Sequence, residues 1–266
     1  MQGRALFPGI VYDRKTLSAP RPLVLHFVTI DLSTPGLRFR VTPPDDLKAK
    51  LPLRARRTSG FLREQGAQLA INGDFFTPWR SNGPFDYYPH PGDPVTVLGR
   101  ACSDGVCYGG YEKRRPLPEL RITRDNHAQI GVALPDSSPP DNIVSGNTLL
   151  LEKGEITQDA RQDRDLNPRT AVGLDQSGTH LLILIIDGRQ PHYSEGATMG
   201  ELAGFLRDRG AVTAINLDGG GSATLAVQGP DGRPKVLNST INHHNMPGDE
   251  RYVANHLAVF VPRMSP

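Results

Sequence analysis

The sequence predicts an α+β fold: one strand-rich domain over residues 1–266, with a mixed central sheet and a few packed helices. Three observations lead there. Gly 28 and Pro 24 together make up about a fifth of the chain, and such frequent punctuation favours many turns and short strands over long helices. Most apolar runs are short and rich in β-branched and aromatic side chains, as strands are. One segment breaks the pattern. Residues 199–209 carry Leu202, Phe205 and Leu206 on a single helical face, between the apolar runs 181–186 and 211–217. A strand–helix–strand unit of that kind favours a parallel pair joined by a right-handed crossover.

Taken in order, residues 23–30 and 37–41 read as a hairpin split by Ser33-Thr34-Pro35-Gly36. Residues 58–65 form a short helix that stops before Gly66. A buried strand at 68–71 leads into Asn72-Gly73-Asp74-Phe75-Phe76. Residues 77–94 read as a long loop holding Trp79, Tyr87, Tyr88 and His90. Such a loop is either a binding wall or lid, or an Ω-loop packing its aromatics on its own base. Strand-like pieces follow at 95–98, 106–108, 119–122 and 129–132, then a proline-rich surface segment at 135–141. Residues 143–145 and 149–152 look like another pair, and 157–167 like a charged loop. Residues 170–174 and 181–186 are strands around Gln176-Ser177-Gly178. Thr198 with Glu201 three positions on is a capping box, and Gly210 ends the helix it opens. Residues 252–261 close the chain as a strand.

The totals exclude several classes. A formal charge of +2 is nearly balanced, and no basic stripe interleaved with aromatics marks a nucleic-acid partner. Arg54-Ala55-Arg56-Arg57 reads as a solvated face. No apolar run reaches the roughly 20 residues needed to span a bilayer. Residues 1–12 lack the apolar core of a signal peptide, which leaves a cytoplasmic protein or an exported one whose signal lies outside this sequence. Cys102 and Cys107, four residues apart around Asp104-Gly105, suit a disulfide-closed loop. A disulfide favours an oxidising compartment, periplasmic or extracellular; two free thiols are the alternative.

The chemistry concentrates in Asn216-Leu217-Asp218-Gly219-Gly220-Gly221-Ser222. Three consecutive glycines between two apolar runs let backbone N–H groups converge on an anion, or let a ligand lie against the main chain. A glycine-rich tight turn is the plainer reading. The crossover unit places Asp187 and Asp218 at one sheet edge, each past the end of its strand, where ligands of such units sit.

Several stretches together resemble the phosphodiester glycosidase family. They are Asn72-Gly73-Asp74-Phe75-Phe76, Pro168-Arg169-Thr170-Ala171-Val172-Gly173, Asp187-Gly188-Arg189, Ser194-Glu195-Gly196 leading to Glu201-Leu202-Ala203, Asn216 through Thr224, and Arg251. The match is dense over 167–261 and thin before it. Asp74 departs from the family, which often has a glycine or small residue there, and nothing in 77–94 matches. The resemblance implies a hydrolase cleaving the glycosidic C–O bond of a sugar-1-phosphodiester, on a cell-surface or exported glycan, with release of free sugar and a phosphomonoester.

Glycoside hydrolysis generally uses two carboxylates. A sugar phosphate, however, leaves as a stabilised anion, so what must be offset is charge on the phosphoryl oxygens, by arginines and backbone donors. Asp218 is therefore the expected nucleophile, base or orienter, with Asp187 as second carboxylate and Glu195 as third candidate. Arg169, Arg189 and Arg251, with Gly219, Gly220, Gly221 and Ser222, are expected around phosphate. Asn72, Asp74 and Thr170 complete the expected substrate contacts. For Arg169 the alternative is a salt bridge to Asp187 or Asp218. Glu201 is explained by its cap. No cofactor is required; a divalent cation is the minority reading, with Asn242, His243, His244 and Asn245, or Asp74, Asp86 and Asp93, as candidates. Two readings compete with the hydrolase: a non-catalytic glycan- or anion-binding module, and a phosphodiesterase cleaving P–O.

Overall fold

A computed structural model describes residues 3–83, 85–111, 115–135 and 141–262; most of the proline-rich segment read at 135–141 lies outside them. The expected α+β fold with a mixed sheet is overturned. Strands hold 45% of the chain and helices 11%, and every strand pairing among the described residues is antiparallel. The fold is β-rich.

Its largest sheet has eight strands, in the order Arg4–Phe7, Ile10–Leu17, Leu23–Asp31, His180–Ile186, Arg169–Asp175, Ala211–Asn216, Thr148–Glu152 and Glu155–Ile156. Its strand His180–Ile186 is apolar from Leu181 onward because both faces are covered. From His180–Ile186, Leu182, Leu184 and Ile186 face helices Met199–Arg207 and Gln158–Gln162, while Leu181, Ile183 and Ile185 face the main core. The short helix Gln158–Gln162 sits inside the expected charged loop, capped by the Thr157 side chain. Thr198 and Glu201 make the expected capping box.

Across the main core lies a five-stranded sheet ordered Pro234–Val236, Leu225–Gln228, Leu69–Asn72, His256–Phe260 and Arg38–Val41. Three of its strands alternate a large residue with alanine. Leu69, Ile71, Leu225, Val227, Leu257 and Val259 point into the core, while Ala70, Ala226 and Ala258 point outward. Alanines let helix Thr58–Gln65 lie close and bury Phe61 and Leu62 against the sheet's outer face.

A second five-stranded sheet flanks the core, and in it the hairpin Arg100–Ser103 and Val106–Gly109 pairs Cys102 with Cys107. These cysteines form a disulfide. Positive φ at Asp104 and Gly105 turns that hairpin, as a two-residue primed turn requires.

The crossover unit differs from expectation in a way that matters for the site. Arg169–Asp175 lies between His180–Ile186 and Ala211–Asn216 and pairs antiparallel with both. The tight 176–179 turn makes a hairpin that takes the slot beside His180–Ile186, so the helix carries the chain over one strand. The flanking strands still run the same way, and Asp187 and Asp218 emerge at the same end of the sheet. Two other expected hairpins are sheet changes: Leu23–Asp31 and Arg38–Val41 belong to different sheets, as do Asn142–Ser145 and Thr148–Glu152.

Candidate active site

The cleft opens at the sheet end just described and has a volume of about 380 Å³, within the range of small-molecule sites. Asp218 is the one carboxylate lining it among the described residues, with Arg169, Arg189 and Arg251 around it. Asp218 follows the end of Ala211–Asn216, and its main chain is clamped on both sides. Its N–H donates to the Gly73 carbonyl at 3.0 Å, and its own carbonyl accepts the Asn72 side-chain amide at 2.5 Å. Burial, the largest influence, pushes its carboxyl up to about 6; hydrogen bonds from the Ser222 hydroxyl and the Gly219 N–H, and the Arg251 charge, pull the other way.

The glycine run serves close approach more than N–H donation. Gly220 N–H is spent on the Pro168 carbonyl and Ser222 N–H on the Gly219 carbonyl. A Cβ at Gly219 would sit 2.6 Å from the Pro168 carbonyl oxygen, and one at Gly221 would sit 2.4 Å from Arg251 Nη2 and 2.6 Å from the Ile241 carbonyl oxygen. Gly220, at φ +58, underlies the Arg189 guanidinium. Of the expected N–H nest, the Gly220 N–H is taken by Pro168 and the Gly219 N–H is directed at the Asp218 carboxyl; these glycines also bring Pro168, Arg189 and Arg251 onto the backbone beside Asp218.

The three arginines differ in what holds them. Arg169 donates to the Ala197 and Asp165 carbonyls and pairs with Asp163 at 2.8 Å; its salt-bridge partner is neither Asp187 nor Asp218. Burial lowers its pKa, while Asp163 and Asp165 oppose. Arg251 donates to Asn242 at 3.0 Å, reaches Ser222 Oγ at 3.5 Å and lies 5.3 Å from the Trp79 ring centroid. Its pKa is likewise lowered by burial, against the Asp218 charge. Arg189 has no carboxylate partner among the described residues. It is exposed, and Asn167 Oδ1 accepts from its Nε and Nη2 at 3.0 and 2.6 Å. Asn167 lines the cleft too; the sequence reading passed over it as the last residue of a charged loop.

Seven expected site residues do not line the cleft: Gly221 and Ser222, both buried, and Asp187, Glu195, Asn72, Asp74 and Thr170. Asp187 is fully buried: Oδ1 accepts from the Ser239 N–H and the Asn238 amide, and Oδ2 from Tyr193 OH, while His26 Nε2 lies 3.1 Å from that same oxygen. Every lone-pair direction is taken inside the protein, so Asp187 anchors loops. Its partner His26 was missed, although a histidine inside the apolar run Leu23-Val24-Leu25-His26-Phe27-Val28 was a signal. Glu195 is half-buried beside Arg189, whose N–H donates to the Glu195 carbonyl at 3.2 Å. Asn72 and Thr170 are fully buried behind Asp218, with the Thr170 hydroxyl donating to Asn72 Oδ1 at 2.9 Å. Asp74 is buried as well; Gly99 N–H donates to its Oδ2 at 2.6 Å, its Oδ1 has no partner, and burial drives its carboxyl well above the usual range, with Asp218 adding to the rise.

Residues 77–94 form part of the wall. The hairpin Arg80–Gly83 and Asp86–Tyr88 projects from this segment, and Trp79 lines the cleft. Tyr87 packs on His243 at 4.8 Å and Phe85 on His244 at 5.2 Å between ring centroids. No group of three or more metal-ligating side chains gathers among the described residues. His243 is bonded to Asp249 at 2.5 Å, and His90 sits between Asp86 and Asp93.

Residues 65–260 match the phosphodiester glycosidase family profile. N-acetylglucosamine-1-phosphodiester α-N-acetylglucosaminidase of Bos taurus is 38% identical over 95% of this chain, and that of Mus musculus 35% identical over 76%. The chain spans half or less of the length of these relatives, 50% and 39%. The zebrafish catalytic domain of that enzyme, in a structure auto-inhibited by its pro-peptide, shares the fold with a TM-score of 0.69 at 21% identity, covering 98% of this chain and 86% of the other. The chain belongs to the phosphodiester glycosidase family.

Proposed function

We propose that the protein hydrolyses the glycosidic C–O bond of a sugar-1-phosphodiester, releasing free sugar and a phosphomonoester. The observation that carries this reading is a single buried carboxyl, Asp218, on the floor of a cleft whose other charged lining groups are three arginines. With Asp187 sequestered, the usual carboxylate pair is missing from the cleft among the described residues. A phosphate leaving group tolerates that, because it departs as a stabilised anion without a proton donor. Asp218, when ionised, works at the anomeric carbon, attacking it or activating water. Arg189 and Arg251 take the charge that grows on the departing phosphate, and Trp79 offers an apolar face to the sugar ring.

The substrate belongs to a phosphorylated glycan on a cell surface or in an exported polymer, and the reaction needs no cofactor. The Cys102–Cys107 disulfide supports an oxidising compartment, and no described helix is long and apolar enough to cross a membrane.

The test is incubation with a panel of nitrophenyl-linked sugar-1-phosphodiesters in isotopically labelled water. Free sugar carrying the label is the expected result. Label in the phosphate instead makes the protein a P–O phosphodiesterase. No turnover across the panel, with saturable binding that survives Asp218→Asn, makes it a binding module.

A further inference from the structure

A second cavity, of about 480 Å³, lies beside the start of helix Thr58–Gln65 and is lined by Arg54, Arg56, Arg57 and Arg63 against one acidic residue, Glu64. Its neighbouring carboxylates are already engaged. Glu64 and Asp45 pair with Arg56 at 3.5 and 2.6 Å. Glu250 accepts from the Ser59 N–H and hydroxyl, and Asp249 lies 3.8 Å from Arg57 and accepts from His243. Arg54 and Arg63 are exposed, and neither makes an ion pair among the described residues. Two guanidinium groups that make no ion pair among the described residues, beside a concave surface, suit a phosphate, which their donor forks match.

The groove shares a wall with the cleft. Arg251 lines the cleft and the next residue, Tyr252, lines the groove, where Arg57 stacks over its ring at 4.7 Å. The 77–94 segment also borders both, with Trp79 on one side and Pro91 and Gly92 on the other. We propose that this groove is an anionic subsite that takes a second phosphate of a polymeric phosphodiester glycan while the cleft holds the first. The inference rests on the reaction proposed above and adds that the substrate is a chain with repeated phosphates.

The experiment compares one-repeat and two-repeat sugar-1-phosphodiester oligomers on the whole protein and on the Arg54→Ala/Arg63→Ala double variant, with melting curves as a folding control. Two exposed charge contacts predict a KM for the two-repeat substrate about tenfold below that for the one-repeat substrate. The double variant should erase that difference and leave kcat and KM for the one-repeat substrate unchanged. Equal KM values in the unmodified protein, or an equal loss on both substrates, overturn the proposal. Titration calorimetry with the Asp218→Asn protein separates the two ideas. Preferential binding of the two-repeat oligomer that vanishes when Arg54→Ala and Arg63→Ala are added supports the groove even if no substrate turns over. Preference retained there, or shown equally for an uncharged oligosaccharide of the same length, counts against it, whatever the activity.

Discussion

Asn72 and Asp218, 146 positions apart in sequence, are joined by the Asn72 side-chain amide donating to the Asp218 carbonyl at 2.5 Å. Asn72 ends a strand of one sheet and Asp218 follows a strand of the other, so this bond fixes Asp218 where the two sheets meet. Asn72 Oδ1 also accepts from the Thr170 hydroxyl and the Thr224 N–H. One buried amide thereby ties together the strand before Asp74, the strand after Arg169 and the segment after the glycines.

Asn72→Ala leaves the Asp218 carbonyl, the Thr170 hydroxyl and the Thr224 N–H without this partner. At about 1 kcal/mol or more for each such group, the loss should total roughly 3 kcal/mol and lower the melting temperature by about 6–12 °C. Turnover should fall with it, because the Asp218 main chain loses one of its two clamps. Urea unfolding and kcat on the same preparation check both; an unchanged melting curve would show that the joint lies elsewhere.

What the sequence disclosed was local. Helix Thr58–Gln65 and its left-handed Gly66 cap, the Thr198–Glu201 box and the hairpin around residues 176–179 all depend on residues a few positions apart. Choice of strand partner was not legible. The segments after Leu23–Asp31 and after Asn142–Ser145 carry ordinary turn residues, and such residues reverse a chain equally well within a sheet or between two. Asp187 shows the same limit in the site. Asp-Gly after a strand looked available for chemistry, and only the fold brings His26, Tyr193, Asn238 and Ser239 around it.

Gly221→Ala should be disabling, since the new Cβ meets both the Arg251 guanidinium and the main-chain carbonyl of Ile241, and the latter cannot swing away. Gly204→Ala is the control. It lies within helix Met199–Arg207 with nothing within 4 Å of the added atom, so helix propensity alone should stabilise the protein by roughly 0.5–1 kcal/mol. Opposite signs in thermal melts, with activity lost only in the first variant, are the expected outcome.

Asp218 sets a pH dependence whose sign follows from its raised pKa. An unfolded aspartate ionises near 4, whereas burial holds this one protonated up to about 6. Across that window the native state binds more protons than the unfolded state, so this group makes stability fall as pH rises, by on the order of 2–3 kcal/mol in all. Activity should move oppositely, rising through pH 6 as the carboxylate forms. Asp218→Asn should reduce the stability slope over this window, leaving the contribution of Asp74, whose carboxyl burial also raises, and abolish turnover. Urea unfolding at several pH values, paired with a rate profile, reads both limbs.

Asp187→Asn distinguishes an anchor from a catalytic carboxylate. Each Asp187 oxygen accepts hydrogen bonds, from the Ser239 N–H and Asn238 on one side and from Tyr193 on the other, where the His26 ring also approaches. An amide nitrogen in either place would confront donors. The Asn238 amide that reaches Asp187 also donates to the Ala223 carbonyl just beyond the glycines, and Arg189 lies two positions past Asp187. Disturbance should therefore spread to the Arg189 loop and to the glycine run together. The expected result is a lower melting temperature and a raised KM, with kcat reduced by less than in Asp218→Asn and the rate limb near pH 6 kept in place. A catalytic Asp187 would instead remove or shift a limb of the pH profile while leaving the melting curve nearly unchanged.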